Sequence, residues 1–197
     1  MDALNLVEET VDVGGLRLSI LRPHEAEELL SEEAFEHEEF LPYWAELWPS
    51  GVALAGVVGS RDVGGLRVLE LGCGLALPSI VAALAGARVL ATDWSEEALE
   101  VAAANAARNE AELETALVSW ADPATLVGAG PWDLVLGADL LYEQRNVDQL
   151  LDLLPRLDAE VLLAEPGRPP ARRFFELARE RFRIATVAER VHRLSSG

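Results

Sequence analysis

The sequence contains no lysine. All 16 of its basic residues are arginine, set against 34 Asp and Glu for a formal charge of −18. That balance opposes general binding to nucleic acid, whose affinity comes largely from Lys and Arg on phosphates. An activity directed at lysine would also find no target among this chain's own side chains. Cysteine is nearly absent: Cys73 stands alone, so no intrachain disulfide can form, and cytoplasmic residence is the simplest expectation. No metal site is expected. Long apolar runs are missing too; none reaches the roughly 18 residues that span a bilayer, so no membrane partner is expected. The opening Met1-Asp2-Ala3-Leu4-Asn5 lacks the basic-then-apolar pattern of a secretory signal.

What is present is a folding sequence of 197 residues, half of them hydrophobic. One α/β domain over residues 1–197 is expected, with 1–50 forming a hairpin and an acidic, aromatic lead-in and 51–197 forming the core. The centre of the pattern is Val68-Leu69-Glu70-Leu71-Gly72-Cys73-Gly74-Leu75-Ala76-Leu77-Pro78. It reads as a strand, a tight glycine turn and a helix. Gly72 permits a turn that a Cβ would obstruct, and Gly74 lets a ligand approach the backbone. Pro78 suits the first helical turn, where its missing N–H is no loss. A dinucleotide fingerprint needs a third small residue where Leu77 stands, and Glu70 would face a pyrophosphate unfavourably. A cation suits Glu70 better. S-adenosylmethionine, with its sulfonium and α-amino group and no phosphate, fits the turn.

Along the chain, residues 9–22 read as a hairpin turning at Gly14-Gly15. His24 to Glu39 reads as a solvated acidic helix and loop. Tyr43, Trp44 and Trp48 lie between Pro42 and Pro49; one of them, Trp48 foremost, is expected to line the methionine end of the cofactor pocket, where its N–H would find a partner. Ser50 is expected to cap the helix Val52 to Val58. From Arg67 onward, short apolar strands alternate with helices: Val68–Leu71, Val89–Thr92, Ala116–Ser119, Asp133–Leu136 and Val161–Ala164, with Ser95 capping a helix to Arg108. Val147, Leu150, Leu151 and Leu154 make the core stripe of another helix. Phe182–Val187 and Val191–Leu194 close the chain as an antiparallel pair. Apolar strands separated by helices predict a parallel sheet covered on both faces, with ligands at the carboxyl ends of the strands.

The residues just past those strands carry the chemistry. Asp93 can accept hydrogen bonds from ribose hydroxyls. Trp94 and Trp120 can wall an adenine ring, with Asp122 taking its exocyclic amine. Asp139 can hold and orient an ammonium acceptor, and Tyr142 can bond to it or face it with its ring. Transfer of a methyl from a sulfonium needs the acceptor in line, at near-attack distance and stripped of its proton. Arg168 is expected to pair with Glu165 or to meet an acidic partner.

Four motifs together, in order, resemble the seven-β-strand, S-adenosylmethionine-dependent protein lysine methyltransferases. They are Pro42-Tyr43-Trp44-Ala45-Glu46-Leu47-Trp48-Pro49-Ser50-Gly51, Leu69 to Gly74, Trp132 to Tyr142, and Glu165-Pro166-Gly167-Arg168. The group acting on the β subunit of electron-transfer flavoprotein, also described as nicotinamide N-methyltransferase-like, is the most similar. The resemblance implies a Rossmann-like α/β sheet of seven strands, mostly parallel with an antiparallel C-terminal pair, behind the N-terminal hairpin. It implies Glu70, Gly72 and Gly74 around the methionine moiety, Asp93 at the ribose, Trp120 at the adenine and Trp48 beside the cofactor. Asp139 and Tyr142 would form an Asp-x-x-Tyr substrate motif, and the spent cofactor would leave as S-adenosylhomocysteine. Ala76 stands where many members have a third glycine, and Glu165 replaces the usual Asp before Pro-Gly-Arg.

The expectation is therefore a monomeric N-methyltransferase acting on a protein lysine, its substrate a protein such as the electron-transfer flavoprotein β subunit or a ribosomal protein. Rival readings are a small-molecule, nicotinamide-like N-methyltransferase and a non-catalytic cofactor-binding chaperone or scaffold. A dinucleotide oxidoreductase fits least, because of Leu77.

Overall fold

A computed structural model describes residues 4–24 and 43–197. The acidic helix expected after His24, and Pro42 of the aromatic block, lie outside the described residues. Strands β1 (Leu6–Val13) and β2 (Leu16–Pro23) form the expected hairpin, turning at Gly14 and Gly15. A single 3-10 turn at Tyr43–Ala45 leads into helix α1 (Pro49–Gly59). The core then alternates: β3 (Arg67–Leu71), α2 (Leu77–Leu84), β4 (Arg88–Asp93), α3 (Glu96–Arg108), β5 (Glu114–Leu117), α4 (Ala124–Ala129), β6 (Leu134–Ala138), α5 (Gln144–Leu157), β7 (Glu160–Ala164), α6 (Pro169–Ala178), β8 (Phe182–Ala188) and β9 (Val191–Ser196).

Seven strands form one sheet in the order β5-β4-β3-β6-β7-β9-β8. β3 to β7 are mutually parallel, and β9 runs antiparallel between β7 and β8. The order reverses beside β3, with β4 on one side and β6 on the other. The crevice for a ligand therefore opens at the carboxyl ends of these strands. Alternate residues along each strand feed opposite faces. Val68, Val89, Leu134, Leu136 and Leu162 pack with Leu54, Val58, Ile80 and Val101 of α1, α2 and α3. Leu69, Leu71, Val135, Val161 and Leu163 pack with Leu126, Leu150, Leu154 and Phe174 of α4, α5 and α6. Burial on both faces explains why these strands are apolar throughout rather than alternating.

The hairpin joins the first face through Val11, Val13, Leu18 and Ile20. Polar side chains on α3 hold its open edge. Asn105 accepts from Leu21 N–H at 2.6 Å and donates to the Leu21 carbonyl at 3.0 Å; Asn109 does the same for Ser19, at 2.9 and 2.8 Å. Two amides one helical turn apart thus satisfy a strand edge in place of a neighbouring strand.

Three local expectations are corrected. Ser50 is not the cap of α1. The helix starts earlier because Pro49 is preset for a first turn, and the Trp48 carbonyl receives the N–H groups of Gly51 and Val52. Ser50 is buried, and its hydroxyl has no hydrogen-bond partner. β5 ends at Leu117, two residues before the expected Ser119. In the α5 stripe Leu153 takes the buried place expected of Leu151, which is only half-buried. Ser95 does cap α3, accepting from Ala98 N–H at 3.2 Å.

Candidate active site

The glycine turn after β3 is fixed by backbone contacts. Cys73 N–H bonds to the Thr92 carbonyl at 2.9 Å, tying the turn to the end of β4. Gly72 and Gly74 have φ of 58° and 49°, the left-handed region. A Cβ on Gly72 would lie 2.8 Å from Leu140 Cδ2 and 3.3 Å from the Trp120 ring. A Cβ on Gly74 would lie 3.1 Å from the Trp44 carbonyl oxygen, so Gly74 makes room for the aromatic lead-in. Ala76 is left-handed too, with φ of 62°, and is fully buried as it enters α2.

Two acids face this turn. Glu70 is buried, and its Oε2 accepts from Ser79 N–H at 2.9 Å and from the Ser79 hydroxyl, filling an orphan donor in the first turn of α2. Burial pushes its pKa up to about 8; the bonds from Ser79 oppose that rise and the charge on Asp93 adds to it. Asp93 is also buried. It accepts from Gly74 N–H at 3.0 Å, Trp94 N–H at 2.8 Å and Ser95 N–H at 3.2 Å. Burial raises its pKa, against the pull of these bonds.

Across the crevice lies the loop after β6. Asp139 has φ of 55°, its N–H bonds to the Ala164 carbonyl at 2.9 Å, and its side chain is 7% exposed. Its Oδ1 receives Arg168 Nη1. The expected pairing of Arg168 with Glu165 does not occur. Glu165 turns inward to accept from Leu141 N–H at 3.0 Å, while Gly167, at φ of 92°, redirects the chain and sends Arg168 to Asp139. The other oxygen of Glu165, Oε2, is buried without a partner, and burial foremost pushes the Glu165 pKa up to about 7. Tyr142 packs on Tyr43, ring centroids 4.9 Å apart, and burial raises its pKa to about 12. Trp48 donates its indole N–H to the Tyr43 carbonyl at 2.7 Å, and the Arg168 guanidinium lies 5.5 Å from its ring centroid.

These groups enclose a cavity of about 290 Å³. Trp48, Glu70, Gly72, Gly74, Asp93, Trp94, Trp120, Asp139 and Tyr142, the nine residues singled out from the sequence, all line it. Trp94 stands at the rim, 47% exposed. Asp122 does not join them: it is exposed and bonds to Ala124 N–H at 3.3 Å, at the start of α4. Arg168, Tyr43 and Glu46 also line the cavity. The motif reading had no assigned role for Glu46, although it sits inside the aromatic block. Among the described lining residues Arg168 is the only base, and Glu46, Glu70, Asp93 and Asp139 supply the acids. Such a wall repels phosphate and suits a cationic ligand.

Seven strands in this order with one reversed, a glycine turn after the first core strand and a carboxylate after the second, define a Rossmann-like methyltransferase. The sequence model of the family described as lysine methyltransferase matches residues 35–180, and the chain belongs to that family. It is 36% identical over 154 residues to the protein N-lysine methyltransferase METTL21A of Danio rerio, a match covering 73% of this chain and 70% of that protein. It is 36% identical over 136 residues to the electron transfer flavoprotein beta subunit lysine methyltransferase of Xenopus laevis, covering 64% of this chain and 53% of that one. The chain thus spans about half the length of this second relative. Among solved structures, the ribosomal protein L11 methylase from Lactobacillus delbrueckii subsp. bulgaricus superposes with a TM-score of 0.59 at 28% identity, over 76% of this chain and 78% of that one. The expected family and fold are both found, and the dinucleotide oxidoreductase reading falls away.

Proposed function

We propose that this chain transfers a methyl group from S-adenosylmethionine to the side-chain nitrogen of a lysine on a protein substrate in the cytoplasm. The observation that carries the reading is one cavity with two acidic walls: Glu70 and Asp93 on the glycine-turn side, Asp139 on the other. The cofactor supplies an electrophilic methyl on a sulfonium. Asp93 is oriented by three backbone N–H groups, so of about four lone-pair positions on a carboxylate about one is left for a ribose hydroxyl. Trp94 and Trp120 offer faces for the adenine, and Trp48 closes the methionine end. Glu70 braces the start of α2 through Ser79 and would lie on the methionine side of the cofactor. Asp139 receives the acceptor nitrogen and, with Tyr142, aligns it. Desolvation beside a positively charged sulfonium would lower the pKa of the acceptor, which gives up its proton to solvent before transfer. The protein-lysine acceptor draws support from the relatives, whose names specify lysine on a protein.

The test is to incubate the enzyme with tritiated S-adenosylmethionine and a cell lysate, then separate protein from small metabolites. Label in a protein band, found on lysine after hydrolysis, is the expected result. Label only in the small-molecule fraction would replace the acceptor class. No label anywhere, with S-adenosylhomocysteine bound, would favour a non-catalytic cofactor-binding role.

A further inference from the structure

Asp139 is a nearly buried carboxylate, and an unpaired buried charge is costly. Here its partner comes from the same chain. Arg168 places one guanidinium nitrogen on Asp139 Oδ1 and the guanidinium carbon 5.5 Å from the centre of the Trp48 ring. That is within cation–π range. The Trp48 ring is held for this contact by its N–H bond to Tyr43. A carboxylate and an aromatic face, converging on one point of the cavity wall, are the two features that receive an alkylammonium.

We propose that Arg168 occupies the seat of the acceptor ammonium in the substrate-free enzyme, and that the substrate lysine binds by displacing it. The proposal rests on the reading of Asp139 as the acceptor-binding group. Arg168 has the means to leave. Its side chain is 32% exposed, and it follows Pro166 and Gly167, both exposed, the latter with nothing within 4 Å of where a Cβ would sit. The internal cation keeps the Asp139 charge compensated while the site is empty. It also sets specificity. A free amine gains only the seat that Arg168 vacates, so small amines bind weakly. A lysine on a protein brings surface contacts that offset the displacement. Arg168 is in this sense a positioning residue that raises the threshold for acceptors.

The experiment titrates n-butylammonium, a mimic of the lysine side chain, into the protein saturated with S-adenosylhomocysteine, following binding by NMR. Arg168→Met and Arg168→Gln should bind the probe about tenfold more tightly than the unaltered protein. The gain should vanish when Asp139→Asn is added to Arg168→Met. In the unaltered protein, the Arg168 guanidinium signals should lose their exchange protection as butylammonium saturates the site. Unchanged or weaker probe binding in both Arg168 variants would overturn the proposal, as would guanidinium signals that stay protected at saturation. Failure of S-adenosylhomocysteine to bind the unaltered protein would instead strike at the methyltransferase reading, which the direct cofactor titration reads separately.

Discussion

The two walls of the cavity are built differently. On the β3–β4 side every acid is bound by the chain's own N–H groups: Asp93 by three, Glu70 by the N–H and hydroxyl of Ser79. On the β6–β7 side Asp139 is held by one partly exposed guanidinium, and Glu165 keeps an oxygen with no partner. Backbone donors cannot leave without unfolding the turn, whereas a side chain on a glycine-flanked loop can. The first wall is preorganised for a ligand of fixed shape. The second is assembled from contacts that can change when a large and variable substrate arrives.

The sharpest way to break this contrast is Asp139→Ala. Methyl transfer should fall by about 10²–10³-fold while S-adenosylhomocysteine affinity, read by calorimetry, stays within about twofold. An equal loss of both would show that the two walls act as one unit. Next comes acidity, because the first wall holds one buried acid with a raised pKa and the structure behind the second holds another, to about 8 for Glu70 and about 7 for Glu165. An acid whose folded pKa lies above its unfolded value keeps its proton longer in the native state. Its protonated form is therefore the more compatible with folding, and stability falls as pH rises from about 4.5 through these values. Urea unfolding should show a loss on the order of a few kcal/mol between pH 5 and pH 8. Glu70→Gln should flatten the fall above about pH 7 and lessen it below, where the Glu165 part stays in place.

Gly72→Ala tests a place where the walls touch. Its Cβ would meet Leu140, from the opposite loop, at 2.8 Å and in a left-handed backbone. A stability loss of about 2 kcal/mol is expected, with poorer binding of both cofactor and acceptor. Cofactor binding alone should change if the walls are independent there. The smallest effect belongs to Ala76→Gly. Relief of the left-handed strain works against the loss of a buried methyl, so thermal unfolding should give a net change within about 1 kcal/mol.

Much of the first wall was legible in the sequence because local rules govern it. Gly72-Cys73-Gly74, Pro78 and Ser95 act within a few residues of themselves, and the strand patterns place Glu70 and Asp93 at neighbouring strand ends. The aromatic block was legible through the need of Trp48 for an N–H partner, met by Tyr43. The second wall was legible only as a set of residues. Which acid Arg168 would choose depends on the chain direction set by Gly167, and on Glu165 being drawn away by Leu141 N–H. Asp122 was misplaced for a similar reason: the chain leaves β5 early, and the side chain serves α4 instead. The Asn105–Asn109 clasp left no pattern at all, since two amides in an alanine-rich helix look the same whether they face water or a strand edge.

β9 lies between β7 and β8 although β8 precedes it in the chain. On a ribosome, β8 would emerge with no strand to join, and only the arrival of Val191–Ser196 would give it one. The parallel portion that carries both cavity walls can zip up beforehand, so the binding crevice can take shape before the far edge of the sheet is sealed. A chain ending at Ala188 and released from the ribosome should already retain S-adenosylhomocysteine, yet expose Phe182 and Ile184 to proteases.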